Sequence, residues 1–493
     1  MAGRPAPPGR DGPMTDTAAE SYDLLVVGGG PAGLAAATEA ARIGLAVGVV
    51  DERPTFGGQI YKQFGVGFHV RDPRALGRDY LRGRGLIEAA ERSGAQLLPL
   101  TSAVAVRGSE LVLVAAGERA RTVSTRRLLV APGAHDRPVV FPGWTLPGVL
   151  TAGAAHTMVK TQRVLPGERI VFAGSGPLAL AFPAQLHHYG ANVVHVLEAG
   201  PAPRARDVVR LVAAARGNAA LLRDAVGYRT ELLRGRVPMR YSRIVVRAEG
   251  DGRVEQVVHA AVDTDWRVVP GSEERLDADT LCVGYGFVPS VELLRLAGCD
   301  FAYDENLGGP VVVVDEWLRT TAPAVSAAGD GTGVAGAFVA VDEGRLAALG
   351  AALDLDAIAP AEAERRALPI RSRLRRKQAF RRGLLPMHAV GAGIYELATN
   401  ATIVCRCEEV TAAEIDEALA ASADVNVVKA FTRAGMGLCQ GRSCQRQIAA
   451  MAARRHGLPL EAVPPATPRL PVRPVPIGAV ADASLEDGGF FTP

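Results

Sequence analysis

The sequence has few cysteines, no long uninterrupted apolar run and no apolar leader, and each shortage excludes a class of protein. Only six of its 493 residues are cysteine, and no two of them form a C-x-x-C pair, which argues against a dithiol–disulfide exchange enzyme. The longest uncharged apolar stretch, Leu24 to Thr38, is interrupted by GGGPAG, so it predicts a strand, a turn and a helix instead of a membrane span. No segment of signal-peptide type opens the chain, and we therefore expect a cytoplasmic protein.

Lysine is also rare, since only four of the 55 basic residues are lysine, and the formal net charge is only +3. The most basic stretch, AEAERRALPIRSRLRRKQAFRRG, has a helical pattern but no interleaved series of aromatic residues on which bases could stack. We therefore expect no nucleic-acid partner and interpret this stretch as a linker with a solvated face, or as an interface.

Two segments have the pattern strand, glycine-rich turn, helix, strand. In the first, Gly28, Gly30 and Gly33 form G-x-G-x-x-G after the strand LLVV, and Asp51 ends the following strand. In this context the glycines allow a tight turn, close approach of a pyrophosphate and close helix packing, while the acid accepts ribose hydroxyls. The segment therefore predicts a dinucleotide site at a helix N-terminus.

Three later features favour FAD at this first site. APG at 131–133 resembles the small-residue turn that flavoproteins of this type place after the fourth strand. GGQI at 57–60 resembles the flavin-proximal stretch of glutathione- and thioredoxin-reductase-like flavoproteins, and SAAGD at 326–330 resembles their second signature, whose Asp binds the ribityl chain. The predicted FAD-binding residues are Gly28, Gly30, Pro31, Ala32, Gly33, Asp51, Glu52, Gly58, Gln59, Ala131, Pro132, Gly133, Gly329 and Asp330.

The second segment carries GSGPLA, with Gly174 and Gly176 at the first two fingerprint positions and Ala179 at the third, which the fingerprint allows. Glu198 ends the next strand, and an acid there favours a free ribose 2′-OH over a 2′-phosphate. The segment predicts a site for NADH; the alternative is a retained fold that no longer uses NAD(H) and holds another adenine nucleotide.

Four of the six cysteines lie near the end of the chain. Cys405 and Cys407 form CRC, and Cys439 and Cys444 belong to CQGRSC. Four thiolates suit either Zn²⁺ or a [2Fe–2S] cluster, but a C-x-C pair is unusual for zinc. Because a one-electron carrier has an evident use beside a flavin, we favour [2Fe–2S] and keep zinc and disulfides as alternatives. The sequence between the two pairs reads as helical, with a capping box from Thr411 to Glu414.

The segments GWTLPGVLTAGAAH, CVGYGFVPS, CRCEEV, VKAFTRAGMGLCQGRSC and LPVRPV together resemble the FAD-containing alpha (A) subunits of bacterial amine dehydrogenase complexes. This family includes the A subunits of opine oxidases, the flavin subunit of hydrogen cyanide synthase and the alpha subunits of proline or hydroxyproline dehydrogenases, with sarcosine oxidase alpha more distant. The resemblance covers residues 22 to 480. It implies a disulfide-reductase-type fold carrying a bacterioferritin-associated-ferredoxin-like (BFD-like) [2Fe–2S] domain, whose ligands would be the four cysteines. It also implies a D-amino-acid-oxidase-like beta subunit with its own FAD, and it admits a second partner, a small ferredoxin-like subunit.

We therefore expect an α/β fold with two Rossmann-like dinucleotide-binding domains, the second inserted in the first, and a small α-helical BFD-like domain. The predicted boundaries are 1–21 for a disordered tail, 22–150 with 286–350 for the FAD-binding domain, 151–285 for the NAD(H)-binding-like domain, 351–400 for a basic helical linker, 401–458 for the BFD-like domain and 459–493 for a Pro-rich strap or tail.

Acid–base machinery is missing from the sequence. The nine histidines are scattered, and there is no Ser/His/Asp set, no H-E-x-x-H motif and no framed pair of carboxylates. His135, after APGA, is the one histidine that we single out as a catalytic candidate. An enzyme that oxidises its own substrate usually shows acid–base groups. We therefore expect an FAD-dependent oxidoreductase subunit that relays electrons from a partner acting on C–N bonds; the alternatives are a self-sufficient NADH-dependent flavin/iron–sulfur reductase and a zinc-stabilised scaffold.

Overall fold

The computed structural model describes residues 21–65, 67–108, 111–117, 119–204, 207, 219–384, 389–479 and 481. Apart from Ser21, the tail predicted to be disordered over 1–21 lies outside the described residues, and so does the end of the Pro-rich tail, 482–493. Within the described ranges, no helix is both long enough and apolar enough to cross a membrane.

Strands occupy the following ranges: β1 (Ser21–Val27), β2 (Val47–Val50), β3 (Gln96–Leu98), β4 (Thr101–Arg107), β5 (Leu111–Ala116), β6 (Arg119–Val130), β7 (Ala134–Asp136), β8 (Val149–Thr151), β9 (Ile170–Gly174), β10 (Val193–Glu198), β11 (Met239–Tyr241), β12 (Arg243–Glu249), β13 (Gln256–Ala261), β14 (Glu274–Asp277), β15 (Thr280–Gly284), β16 (Phe287–Pro289), β17 (Phe301–Asp304), β18 (Gly309–Val312), β19 (Val325–Ala327), β20 (Ile403–Cys405) and β21 (Val410–Thr411).

Helices occupy the following ranges: α1 (Pro31–Ile43), α2 (Arg78–Arg92), α3 (Ala152–Thr157), α4 (Pro177–His188), α5 (Ala219–Arg234), α6 (Glu292–Leu296), α7 (Ala337–Asp354), α8 (Pro360–Leu384), α9 (Ala412–Leu419), α10 (Val425–Thr432) and α11 (Gln445–His456).

The first sheet holds the first glycine-rich loop. β3, β2, β1, β6 and β19 run parallel in that order, while β6, β5 and β4 form an antiparallel meander. The central strands are nearly continuous apolar runs because they are covered on both faces, and Val26 and Val49 are fully buried. α1 and α7 touch through their backbones: a Cβ at Gly344 would lie 2.0 Å from the carbonyl oxygen of Ala32, so only glycine fits there.

The second sheet is formed by the chain between β6 and β19. Its strands run parallel in the order β11-β10-β9-β15-β8, and β12, β13 and β14 form a separate antiparallel sheet. The chain passes from the first sheet to the second through β7 and returns through β16, and these two strands pair with each other. This topology confirms the predicted α/β class with one dinucleotide-binding unit inserted into the other.

The basic stretch forms α8, which packs against the first unit. Its side chains Ala363, Ala367 and Ile370 belong to the same core as α1 and α7. Arg373 Nη2 and Lys377 Nζ lie 2.7 and 2.6 Å from the carboxylate of Asp342 on α7. The interface interpretation of this stretch therefore holds, and the surface that it contacts belongs to the same chain.

The cysteine segment, residues 401–458, has its own small core, in which Ile415, Leu419 and Val428 are fully buried. The predicted capping box is present at the start of α9: Thr411 accepts from the backbone of Glu414, whose side chain accepts from the backbone of Thr411. The stretch predicted as helical is divided into α9 and α10, because a new N-cap at Asp424 begins the second helix.

The described part of the Pro-rich tail, residues 463–479, forms a C-terminal strap across the body. At one end Thr467 N donates to Asn426 Oδ1 of the cysteine segment, 2.9 Å away. Farther along, Val472 N donates to the carbonyl oxygen of Val104 on β4 (2.8 Å), and Ala479 is buried beside that strand. The strap therefore joins the cysteine segment to the edge of the first sheet.

Candidate functional site

The first glycine-rich loop is held against the APG turn. Gly28 has φ +107°, and a Cβ there would lie 2.2 Å from the carbonyl oxygen of Ala131. A Cβ at Gly33 would lie 1.9 Å from the carbonyl oxygen of Gly28. These contacts give Gly28 and Gly33 the turn-forming and helix-packing positions that their motif predicts. Ala131, the first residue of APG, lies against this loop, and Pro132 and Gly133 follow Ala131 in the chain.

Asp51 is the acid that ends the second strand, and it hydrogen-bonds the turn directly. Its Oδ2 accepts from Gly29 N (2.7 Å) and its Oδ1 from Arg53 N (2.9 Å). Burial raises the pKa of Asp51, and the two N–H groups oppose that rise. The neighbouring Glu52 pairs with Arg473 of the C-terminal strap at 3.3 Å, so this predicted cofactor residue also anchors the end of the chain.

The GGQ segment packs onto the same loop. A Cβ at Gly58 would lie 2.9 Å from Cα of Gly30, so the two predicted FAD segments are in contact. Pro31 begins α1 immediately after Gly30. On the other side, Gly329 lies against Ala32 of α1, because a Cβ at Gly329 would lie 3.1 Å from the Ala32 methyl group.

Asp330 sits in the turn that follows β19, where its Oδ1 accepts from Ala335 N at 3.3 Å. Burial raises its pKa, and backbone N–H donors oppose that rise. Glu343 on α7 lies behind this turn, and its Oε2 accepts from Gly329 N (2.8 Å) and Thr332 Oγ1 (3.0 Å). Burial raises the pKa of Glu343 to about 7. Sequence reasoning did not identify Glu343. The signal that could have found it is a glutamate within a largely apolar helix.

These elements fit a dinucleotide, because the parts predicted from separate motifs meet at one place. The glycine loop opens at the N-terminus of α1, where backbone N–H groups lack helical partners and suit a pyrophosphate. The GGQ segment and the APG turn, which both contact this loop, would then contact the rest of a bound FAD.

The second glycine loop follows β9 and also hydrogen-bonds its own acid. Glu198 Oε1 accepts from Gly176 N (3.1 Å) and Gly200 N (2.8 Å), and burial raises the pKa of Glu198 to about 7. Gly174 packs against β15, and Ala179 on α4 is fully buried. Gly176, with φ +61°, is the N-cap of α4. The arrangement resembles the first loop, because Asp51 and Glu198 each accept hydrogen bonds from two backbone N–H groups.

The four clustered cysteines lie close together, because Cys405, Cys407 and Cys439 all contribute to raising the pKa of Cys444. Cys444 donates a hydrogen bond to Cys405 Sγ, which lowers the pKa of Cys405 to about 5 and raises that of Cys444. Cys407 contacts Cys439, and burial raises the pKa of Cys407. Gly435 N donates to Cys405 Sγ at 3.5 Å. All of these thiols are free in the structure, so the disulfide alternative is not formed.

A zinc ion and a two-iron cluster would arrange four cysteine ligands differently. In the part of the chain that the structure describes, no three His, Cys, Asp or Glu side chains are placed as ligands of one metal ion. A [2Fe–2S] cluster takes two protein ligands on each iron, whereas structural zinc gathers four on one ion. The loop is also close-packed around the thiols, since a Cβ at Gly437 would lie 2.2 Å from Cβ of Cys407.

One side of the thiol cluster faces solvent. Cys407 is exposed, and it borders a cavity of about 370 Å³ that is also lined by Met436 and Leu438. Leu438 is 81% exposed, and nearby Phe431 is 74% exposed. Cys405 and Cys444 are buried on the opposite side.

A largely buried charged network joins the cysteine segment to the first dinucleotide-binding unit and to Tyr395. Arg137 Nη1 donates to Glu305 Oε1 (2.7 Å) and to the hydroxyl of Tyr395 (2.5 Å). Arg446, two residues after Cys444, pairs with the same Glu305 and donates through Nε to Tyr395 (3.1 Å). Burial alone would raise the pKa of Glu305, but the two guanidinium groups outweigh it and the pKa is lowered.

His135 lies beside this network. Its Nδ1 is buried without a hydrogen-bond partner among the described residues, and burial lowers its pKa. Its charged neighbours are Glu292, Arg473 and Arg137. Because side chains alternate along a strand, His135 and Asp136 of β7 point to opposite sides. The histidine therefore lies on the side of β7 that is near Arg473 of the strap and Arg137 of the network.

Comparison with known proteins agrees with this architecture. Residues 22–344 match the pyridine nucleotide-disulphide oxidoreductase family, and residues 399–483 match the sarcosine oxidase A3 domain. The chain is 36% identical to hydrogen cyanide synthase subunit HcnB of Pseudomonas aeruginosa, over 94% of this chain and 99% of that protein. It is 34% identical to the A subunit of the opine oxidase of Agrobacterium tumefaciens, over 93% and 91%.

Among solved structures, L-proline dehydrogenase from P. horikoshii superposes with a TM-score of 0.68 at 20% identity, covering 94% of this chain and 81% of that one. At that identity the likeness concerns the fold. The resemblance expected from the sequence motifs is confirmed: the chain belongs to the pyridine nucleotide-disulphide oxidoreductase family and is an FAD-dependent oxidoreductase related to hydrogen cyanide synthase HcnB and to the A subunits of opine oxidases.

Proposed function

We propose that this chain is the FAD- and [2Fe–2S]-containing electron-transfer subunit of a heteromeric amino-acid, imino-acid or opine dehydrogenase. A beta subunit of the D-amino-acid-oxidase type would oxidise the C–N bond and deliver electrons to this chain, and a small ferredoxin-like subunit would be a further partner. When bound, a flavin accepts electrons in pairs and a [2Fe–2S] cluster passes them on singly.

The observation that carries the proposal is the convergence of Cys405, Cys407, Cys439 and Cys444 in one small segment, where Gly435 N donates to Cys405 Sγ at 3.5 Å. The buried network supports it, because Arg446 ties the helix that follows Cys444 to Glu305 of the flavin-side unit. Packed protein between two redox sites keeps their separation constant, which a relay requires.

The residues of the chain have distinct tasks in this proposal. The N-terminus of α1 binds the pyrophosphate, Asp51 orients the loop and the ribose, and Asp330 holds the ribityl chain. The four cysteines hold the cluster, and exposed Cys407 marks the side from which electrons would leave. The names of the relatives support this proposal, since one relative is a subunit of a hydrogen cyanide synthase and another is a subunit of an opine oxidase.

The test is purification of the chain with and without its proposed beta subunit. We expect the chain alone to contain FAD, two irons and two acid-labile sulfides, and to oxidise no amino acid. Addition of substrate together with the beta subunit should bleach both chromophores. Full substrate turnover by the isolated chain would contradict the relay, and zinc without iron or sulfide would support the zinc-stabilised scaffold instead.

A self-sufficient NADH-dependent reductase is the second candidate. The observation in its favour is the complete strand–turn–helix of the second loop, with Gly176 at the N-cap of α4 and Glu198 at the end of β10. Stopped-flow mixing with NADH decides between the two functions. Fast bleaching of the flavin at low NADH concentration would favour the reductase, whereas no bleaching would remove it.

A further inference from the structure

Lys62 is a buried lysine that forms no ion pair within the described part of the chain. It follows the GGQ segment by three residues and is only 7% exposed. Its Nζ donates to Gln59 Oε1 at 2.6 Å, and among the described residues no carboxylate forms an ion pair with it. Burying an ammonium group without an anion costs several kcal/mol, so a buried lysine of this kind indicates an anionic ligand at its Nζ.

A second lysine adds to the positive charge. Lys160 follows α3, is enclosed by the surrounding chain, and lies close enough to lower the pKa of Lys62, as does Arg53. Burial is the main cause, and it brings the pKa of Lys62 to about 7. The acid near Lys62, Asp136, already accepts from Thr151 Oγ1 (2.9 Å) and Gly153 N (3.1 Å), and the acid near Lys160 is Asp79. The surroundings therefore carry an excess of positive charge.

The position of Lys62 identifies the anion that it would meet. Its partner Gln59 adjoins Gly58, which packs on the first glycine loop. Its acidic neighbour Asp136 is in β7, shortly after the APG turn. Lys62 therefore lies near both the GGQ segment and the start of β7, the two segments that a flavin ring bound at the first loop would contact.

We propose that Lys62, assisted by Lys160, supplies the positive charge that stabilises the reduced flavin ring. The ring gains one negative charge when it takes up two electrons and one proton, and a neighbouring cation favours that state. This inference rests on the proposed FAD site. The electrons come from the amine substrate through the beta subunit in the proposed complex, and from dithionite in the test.

The experiment compares Lys62→Met, Lys62→Arg and Lys160→Met in the flavin-loaded full chain, with Lys429→Met as the control on the cysteine segment. FAD content, the reduction midpoint with dithionite and a reference dye, and the affinity for sulfite are measured. Sulfite adds to the oxidised flavin and leaves negative charge on the ring, so it reports the same stabilisation without electron transfer.

We expect Lys62→Met to keep its FAD but to lower the equilibrium constant for flavin reduction at least tenfold, which is about 30 mV for a two-electron couple. Sulfite affinity should fall by a similar factor. Lys160→Met should shift both values in the same direction, whereas Lys62→Arg and Lys429→Met should remain within about threefold of the parent.

Two results would overturn the inference. If Lys62→Met and Lys160→Met retain FAD with unchanged midpoint and sulfite affinity, the lysines have no electrostatic role, while the proposed function stands. If the parent chain carries no flavin, the proposed function fails and this inference fails with it. Should Lys62→Met not fold, Lys160→Met alone decides the matter by the same two measurements.

Discussion

The replacement Glu305→Gln tests how strongly the cysteine segment is held to the rest of the chain. It would leave two guanidinium groups without their anion, on Arg137 and Arg446, whose side chains are 2% and 9% exposed. Removing one partner of a buried ion pair costs about 3–5 kcal/mol. Because the Glu305 side chain is itself 27% exposed, we expect the lower end, about 3 kcal/mol.

The assay is urea unfolding of the holo-protein, followed by loss of visible absorption from the cysteine segment. At a slope of about 3 kcal/mol/M, the expected loss lowers the midpoint by about 1 M. Glu274→Gln is the matched control, because Glu274 also pairs with two arginines, Arg240 and Arg243, but is 44% exposed. Exposed pairs contribute about 0–1 kcal/mol, so a cost for Glu305→Gln no larger than that of the control would refute the reasoning.

The stability difference between the parent and Glu305→Gln should also depend on pH. The folded-state pKa of Glu305 is lowered from its ordinary value of 4.5. Its stabilisation is therefore fully present above pH 4.5 and is lost as the pH falls through the folded-state pKa. The difference in urea midpoint between the parent and Glu305→Gln should stay constant from neutral pH down to about pH 4.5. It should narrow only as the pH falls farther, through the folded-state pKa of Glu305.

Three further predictions concern single contacts. Cys439→Ser should abolish the cluster absorption but leave FAD bound, as read by visible spectra and flavin content; loss of both would show that the cysteine segment holds the flavin-binding unit in shape. Gly28→Ala should abolish FAD retention, because its Cβ would lie 2.2 Å from the carbonyl oxygen of Ala131, and normal flavin content would contradict that contact. Thr411→Ala should destabilise the cysteine segment by about 1 kcal/mol by removing an N-cap, with Glu414→Ala as the companion variant in the same urea assay.

Features encoded within a short stretch could be predicted from the sequence. The turn at Gly28, the acid at Asp51 and the capping box at Thr411 each depend on residues close together in the chain, and the structure has all three. The four cysteines were recognisable as one set because sulfur chemistry restricts what such a group can do.

Features that depend on distant pairs could not be predicted. The arginines that pair with Glu305 lie 168 and 141 residues away from it, so no local pattern marks them. The packed face of the basic stretch could not be predicted for the same reason, because Asp342, the partner of Arg373, lies 31 residues upstream on another helix. The other face, with Arg365, Arg375 and Arg376, is exposed. Lys62 is marked in the sequence only weakly, because lysine is rare in a chain whose positively charged residues are nearly all arginine.

The C-terminal strap has a consequence for how this chain folds during synthesis. Strand β4 is the edge of the first sheet, and an uncovered edge is open to pairing with other chains. Val472 covers that edge by its hydrogen bond to Val104, and Arg473 pairs with Glu52, yet both contacts form only after the strap, several hundred residues downstream of β4, has been translated. The first sheet can form early, but its edge strand stays exposed until the strap is made. Chains truncated before residue 472 should therefore aggregate through that border even though both glycine-rich loops are complete.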